Sequence, residues 1–399
     1  MDTRTSDVVV VGARCAGAPI AMLLARAGLS VRLVERSARL GDVVSGHLIK
    51  PPGVARLRRW TVLDAVLATG CPRLDDRTLW LGGEPHRAPA PEPAAGPIAP
   101  RRTVLDPILL TAAADAGADV EMGVSADGLL RDGGRVTGVT TSAGQRRARL
   151  VIGADGRNSR IARLAGAETY HDHPPVTFAY YTYWRGCPVA GVHAWLEPGR
   201  FFGIFPVGGG LALAFVQAPR GEYQAFRRDP LMTYVRELRS RPGLADLLGE
   251  AVMAERLRGT AALPTFFRRS SGPGWVLAGD AGHHKDPVIA RGIADAFRDA
   301  DLLTSAIVDH WNSDLDAALA EYERQRDRCA IPLSDANLGI ARLDLPAEAL
   351  GAAWFEMNAL ETALDNPAAI SDAACSRAAP ALANIVDRCA PPGVLNDPR

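Results

Sequence analysis

Residues 7–35 read DVVVVGARCAGAPIAMLLARAGLSVRLVE, and this stretch decides the fold. Val8 to Val11 is an unbroken β-branched run closed by Gly12, which reads as a strand buried on both faces, the mark of a parallel sheet. Residues 18–27 follow as a strong helix former, with Gly28 at the C′ position. Val31 to Val34 makes a second strand ending at Glu35. The unit is β-turn-α-turn-β over about thirty residues, the size of a parallel crossover. Its first turn, Gly12-Ala13-Arg14-Cys15-Ala16-Gly17, keeps the outer glycines of a GxGxxG turn and has Arg14 in the middle place. Such a turn sets a nucleotide pyrophosphate against the free N–H groups and positive dipole end of the next helix. The Arg14 side chain must turn away or touch the phosphate itself; contact is the preferred reading. Glu35 stands where a carboxylate accepts hydrogen bonds from an adenosine ribose.

Two further Gly/Asp turns follow short apolar strands. One is Gly153-Ala154-Asp155-Gly156-Arg157 after Leu150-Val151-Ile152, and the other is Gly279-Asp280-Ala281-Gly282-His283 after Trp275-Val276-Leu277-Ala278. Either alone is an ordinary turn. Together, at the carboxyl ends of separate strands, they suit convergent contacts to one extended ligand. Residues 103–116 read as helix, and 134–142 with 148–152 as a β pair. From 176 to 217 the pattern changes to aromatic and β-branched strands broken by Gly and Pro, which is antiparallel material. Within it Tyr180, Tyr181, Tyr183 and Trp184 alternate, so one face can line a pocket while the other packs a core. Residues 222–255 and the tail from 293 read as helical. Residues 84–100, rich in Pro and Ala, read as an exposed loop.

Composition bounds the rest. The 399 residues carry 45 basic and 45 acidic side chains, which removes the electrostatic case for nucleic acid or an anionic membrane surface. No apolar run is long enough to span a bilayer, and the N-terminus lacks the pattern of a signal peptide. Six scattered cysteines without CxxC spacing suit reduced thiols better than disulfides or zinc, and no metal is expected. A cytoplasmic enzyme, monomer or homodimer, acting on a small molecule is the expectation. Only Lys50 and Lys285 are lysines, which makes both worth locating.

In this order and spacing the three turns resemble the single-component FAD aromatic hydroxylases of the para-hydroxybenzoate hydroxylase type, over roughly residues 7 to 330. The family is also distantly similar to flavin halogenases and geranylgeranyl reductases. The resemblance implies an α/β fold: a Rossmann-like FAD-binding domain with an inserted antiparallel-sheet substrate domain and a helical C-terminal region. The FAD-binding domain would comprise 1–75, 101–175 and 269–330, with 76–100 and 176–268 in the substrate domain and 331–399 a helical cap. FAD would be held by Gly12, Ala13, Arg14, Ala16 and Gly17 at the pyrophosphate and by Glu35 and Arg36 at the adenosine end. Arg102 and Asp280 would serve the ribityl-phosphate region, the strand reaching Ala126 the adenine, and Asp155-Gly156 both FAD and NAD(P)H. Pro287, Gly292 and Ile293 would meet the flavin. Tyr322-Glu323-Arg324-Gln325-Arg326 matches a structural signature of the late helix. The sequence departs from the family at Ala290, where a glycine is usual, at Ala294, where Asn is common, and at Val44-Ser45, where an arginine precedes Gly46.

The implied reaction is NAD(P)H-dependent hydroxylation of a small aromatic or polyketide-like substrate, with O2 as co-substrate and a C4a-hydroperoxyflavin intermediate. Candidates for catalytic work are His284, Lys285, Tyr183 and His47, each with a bland reading beside it: packing for Tyr183, a loop for His47. Alternatives are a reductase of the geranylgeranyl type, suggested by Phe201-Phe202-Gly203-Ile204-Phe205-Pro206 although Gly203 replaces a Trp, and a non-enzymatic binding protein like the Rab GDP-dissociation inhibitors. A halogenase is disfavoured because no WxWxIP segment occurs.

Overall fold

The computed structural model describes residues 5–88, 96–364 and 372–389. Five strands run parallel in the order Trp275–Leu277, Gly144–Gly153, Ser6–Val11, Val31–Glu35 and Asp119–Met122. Val8 lies between Val31 and Leu150, and Val10 between Leu33 and Ile152. Val8, Val9 and Val10 are fully buried, as a β-branched run covered on both faces requires. The helix Gly17–Arg26 returns the chain to the neighbouring strand, and Gly28 has the positive φ of 89° that its C′ place demands. Strands Ala126–Asp132 and Arg135–Thr141 extend this sheet as an antiparallel meander onto Gly144–Gly153.

The second sheet runs Val252–Met253, Thr177–Arg185, Leu211–Pro219, Arg200–Gly208, Val192–Glu197, Arg77–Leu81 and Glu84–Ala88, with Arg258–Thr260 also on Thr177–Arg185. Its two faces separate the aromatic run as the period-2 reading expects. Phe178, Tyr180 and Trp184 join the core under helices Pro230–Arg239 and Pro242–Leu248, beside Tyr234, Leu238 and Leu244. Tyr181 and Tyr183 face the other way, with Leu74, Ala99, Phe205 and Leu213. A third, small sheet pairs His283–His284 with Thr265–Arg268 and the latter with Thr169–His173.

Three expectations need correction. Residues 84–88 form an edge strand on Arg77–Leu81, where Pro85 costs no central ladder bond. Residues 96–100 are buried, and Ile98 bridges Ile49 and Arg73; of the loop reading, only 89–95 lies outside the described residues. The helical stretch 222–255 is three short helices, Tyr223–Phe226, Pro230–Arg239 and Pro242–Leu248, punctuated by prolines and ended at Gly249, after which strand pairing resumes. Finally, Cys329 is disulfide-bonded, while Cys15, Cys71, Cys187 and Cys389 are free thiols. Sequence spacing says nothing of cysteines that only tertiary packing brings together.

The tail is helical, and Leu315–Ala341 runs unbroken across position 330. The signature in this helix bolts it to the parallel sheet. Tyr322 Oη donates to Leu277 O, Glu323 accepts from the Ser270 and Ser271 amides, and the buried Arg326 donates to Ser270 and Tyr170. Helices Ala347–Leu364 and Asp372–Arg388 pack on it through Leu350, Met357, Leu382 and Ile385. No helix among the described residues is long and apolar enough to cross a membrane.

Candidate active site

The three turns meet. Gly12 has φ +101°, and a Cβ there would lie 2.5 Å from Ala154 O; one on Gly17 would lie 1.8 Å from Gly12 O; one on Gly279 would lie 2.9 Å from the Ala16 Cβ. Glycine is therefore required at Gly12 and Gly17 by a close backbone approach, and at Gly279 by its φ of +58° beside the Ala16 methyl. The helix Gly17–Arg26 begins without a side-chain cap and without an acidic residue in its first turn. Glu35, buried at the end of its strand, accepts from the Ala13 and Ser37 amides at 3.0 and 2.9 Å. Arg36 beside it is exposed.

Arg14 does not point freely to solvent. It donates to Asp106 Oδ2 at 2.6 Å and to Gly41 O at 3.0 Å, while Arg102 grips the same carboxylate through two bonds of 2.7 and 3.1 Å. Asp106 is wholly buried; it lies four residues after Arg102, one helical turn away, a spacing that in sequence is no more than an ordinary helical pair. Burial works against the Arg102 charge, but the Asp106 and Asp280 carboxylates outweigh it and hold the guanidinium above its ordinary value. Asp280, exposed at the third turn, thus lies within electrostatic reach of Arg102. Burial pushes the neighbouring Cys15 thiol far up, which leaves it unreactive.

Asp155 has a local duty. Its carboxylate accepts from Ser159 Oγ and from the Arg160 and Ile161 amides, capping helix Arg160–Ala165, while Gly156 takes φ +79°. Ala126, at the start of its strand, is buried. Pro287 and Gly292 are exposed and Ile293 is buried at the start of helix Gly292–His310, which also lacks a side-chain cap. The Ala290 that stands in a glycine's place has φ +53°, a strained conformation for a residue with a Cβ.

The four candidate catalytic residues divide into two groups. His47 and Tyr183 are brought together across 136 residues: His47 Nε2 lies 2.6 Å from Tyr183 Oη and the rings stack at 5.9 Å. Tyr183 donates to Asp42 at 3.0 Å. Since the phenol has one proton, given to the carboxylate, Nε2 must carry the proton of the His47 contact, and Nδ1 is left as an acceptor. That Nδ1 is buried and has no partner. Burial lowers the His47 imidazole to about 3, with Asp42 opposing and Arg102 and Arg101 assisting, so the ring is neutral. Burial would raise Asp42, but the hydrogen bonds from Arg101 and Tyr183 and the Arg258 charge hold it below the usual carboxylate range. Arg101 also lies over the Tyr183 ring at 4.1 Å. His47 itself has φ +59°. Asp42, Arg101 and Arg258 were not legible as members of a site, because they come from three separate segments.

Lys285 and His284 do other work. Lys285 pairs with Asp295, which also receives Arg291 at 3.0 Å and Arg298 at 3.3 Å. Burial raises Asp295, but these three cations pull it well below its ordinary value. Arg291 reaches Glu361 at 3.5 Å, and Glu361 pairs with Lys50. The two lysines of the chain therefore end in one buried network that ties the start of helix Gly292–His310 to the tail helix Ala347–Leu364. His284 bonds Pro264 O and stacks on Phe266. Its neighbour His283 is held well below the imidazole range by burial, Lys285 and Arg326, so its 3.5 Å approach to Asp299 is not an ion pair. Asp286, also missed in the sequence, accepts from Thr177, Gln217 and the Val288 amide, and so locks the segment before Pro287 to the antiparallel sheet. Burial raises its carboxyl in spite of these bonds.

Comparison with known proteins agrees with this architecture. The profile of a family described as FAD binding domain matches residues 5–336. A 6-methylpretetramide 4-monooxygenase of Streptomyces rimosus is 30% identical over 323 residues, covering 75% of this chain and 74% of its own. A digeranylgeranylglycerophospholipid reductase of Methanopyrus kandleri is 31% identical over 304 residues, covering 72% and 73%. Among solved structures, the flavin-dependent brominase Bmp2 superposes with a TM-score of 0.80 over 96% of this chain and 98% of its own, at 17% identity, a likeness of fold alone. The chain belongs to the FAD-binding family of the class A flavoprotein monooxygenases.

Proposed function

We propose that this flavin-dependent oxidoreductase is an NAD(P)H-dependent FAD monooxygenase that transfers one oxygen atom of O2 to a small aromatic or polyketide-like substrate. The observation that supports it most is the convergence of three strand-end turns with the buried His47–Tyr183–Asp42 assembly beside them. The donor set fits FAD. An uncapped helix start flanked by Arg14 and Arg102 suits the pyrophosphate of the cofactor. Gly12, Ala13, Ala16 and Gly17 let it approach the backbone. Glu35 and Arg36 would meet the adenosine end, with the strand at Ala126 beside the adenine. Asp280 would accept from the ribityl chain, Gly156 would lie along the cofactor path, and Pro287, Gly292 and Ile293 would border the flavin.

When bound, FAD supplies hydride acceptance from NAD(P)H and activation of O2. The protein's residues do the rest. The free N–H groups at the start of helix Gly292–His310 favour negative charge at the flavin edge. Tyr181, Phe205 and Leu213, buried on one face of the second sheet, exclude water from the reacting centre. His47 Nδ1 accepts a hydrogen bond from a substrate hydroxyl, while Tyr183 and Asp42 hold the tautomer that makes it an acceptor. The test is turnover of candidate aromatic compounds under isotopically labelled O2, with the product's mass measured. Label in the product supports the reading, and unlabelled product overturns it.

The reductase relative favours a second reading, a flavin-dependent reductase. Gly203 weighs against it: a Cβ there would lie 2.3 Å from the Phe215 ring, so the Trp of the reductase strand has no room. Equal turnover without oxygen would favour the reductase.

A further inference from the structure

A second cluster of chemistry-bearing residues joins the small third sheet to the helix Leu315–Ala341. His171 and His173 lie on the strand Thr169–His173, and Asp335 lies on that helix. One ligand atom from each falls within 4.8 Å of the other two. His171 Nε2 is 2.5 Å from Asp335 Oδ1, and the two imidazole rings meet edge to face at 4.9 Å. His173 Nε2 is buried with no hydrogen-bond partner.

The backbone brings these residues together at a cost. Thr265 pairs with His173 and Phe267 with Tyr170, so two residues of one strand oppose only Phe266 of the other. This is a β-bulge, a device that re-aims side chains. Its first extra residue, His171, has φ +48°, in the left-handed region that a glycine takes without strain. A histidine stands there instead, and the bulge turns its ring toward His173 and Asp335. The ring rests on Phe267 at 5.7 Å, which limits its rotation.

We propose that His171, His173 and Asp335 bind one divalent transition-metal ion of the zinc class. Two imidazoles and one carboxylate are a borderline donor set suited to zinc, cobalt or nickel and not to calcium or magnesium. Ligand atoms around tetrahedral zinc stand about 3.4 Å apart, so an ion would part the His171–Asp335 contact of 2.5 Å and draw the other ligand atoms, now within 4.8 Å, inward. The remaining coordination position is open to solvent, since His171 and Asp335 are 25% and 33% exposed. The ion clamps the small third sheet to the long helix. It adds a second fastening two turns along from the bond between Tyr170 and Asp327.

The test uses the full chain without a histidine tag. Isothermal titration with zinc, and the visible bands of cobalt, should report one ion per chain, and the melting temperature should rise with the logarithm of free zinc. His173→Ala and Asp335→Asn should each weaken zinc by at least about tenfold. Should either fail to fold, His171→Gly supplies the decision: glycine accepts φ +48°, so that variant keeps the bulge while losing a ligand. Loss of the zinc-dependent shift in a folded His171→Gly chain supports the site. No one-to-one binding in the unaltered chain, or zinc affinity unchanged by these substitutions, overturns it.

Discussion

The glycine-turn cluster and the His47–Tyr183–Asp42 assembly are built on opposite plans. The first is made of backbone: Gly12, Gly17 and Gly279 are set by close approaches at which a Cβ would meet other atoms within 3 Å, and within each turn the residues follow one another at short spacing. The second is made of side chains: His47 and Tyr183 are 136 residues apart, and Asp42, Arg101 and Arg258 arrive from three segments. A backbone site tolerates change in every side chain that points away. A side-chain site fails when one charge is removed, because the others remain buried without a partner. The Asp106 cluster tests that division, since it is a side-chain device installed within the backbone site.

Four experiments bear on the contrast. Asp106→Ala should have the largest effect, about 3–5 kcal/mol of stability, because it strands the Arg14 and Arg102 guanidiniums; thermal or denaturant unfolding measures it, and FAD retention read by absorbance should fall as well. A small effect would mean that the turn cluster depends on backbone alone. Gly17→Ala should cost about 3 kcal/mol, since its Cβ would lie 1.8 Å from a backbone oxygen that cannot swing aside. Retained stability in that variant would break the backbone half of the comparison.

The His47 effect depends on pH. Its folded value of about 3 lies below the unfolded value of about 6.5, so below pH 6.5 the unfolded chain binds the extra proton. Stability is therefore present at neutral pH and lost as pH falls toward 3. From pH 7 to pH 5 the loss from this group is about 2 kcal/mol. His47→Gln should flatten that slope in denaturant titrations and, with FAD content unchanged, lower kcat about a hundredfold. A slope unaltered by the substitution would remove His47 from the buried neutral role. The smallest effect is expected at Ala290→Gly, which relieves φ +53° and should stabilise by about 0.5–1 kcal/mol after the added freedom of the unfolded chain is subtracted. A loss of stability would mean that the strain at this position is offset by contacts of its methyl group.

The candidate site was legible where chemistry is carried by local backbone. The turn at Gly12–Gly17 and the carboxylate at Glu35 could be placed from the strand-helix-strand order alone; in the fold Glu35 accepts from the Ala13 amide, and its contact with an adenosine ribose belongs to the proposed function. His47 and Tyr183 were nameable one by one, from a loop position and an alternating strand, but nothing in their spacing said that they touch. Asp106 and Asp286 went unnoticed because a single Asp in a helix or a loop is ordinary until its partners are known. Lys285 attracted notice by scarcity, and its partner Asp295 holds it by proximity to a helix start ten residues on.

By itself the sequence determined the parallel core, the glycine turns, the two-faced aromatic strand and the helical tail. Each of these follows from periodicity or from a backbone conformation that few residues can adopt, and both are local properties. Only the tertiary structure decided the partners of charges. It made Pro85 part of an edge strand, brought both lysines into one network with Glu361 of the tail, and left His47 Nδ1 without a partner in the interior. The reason is physical. A buried charge or ring nitrogen answers to whatever lies within a few ångströms in space, and which atoms those are depends on the packing of segments that sequence distance does not relate.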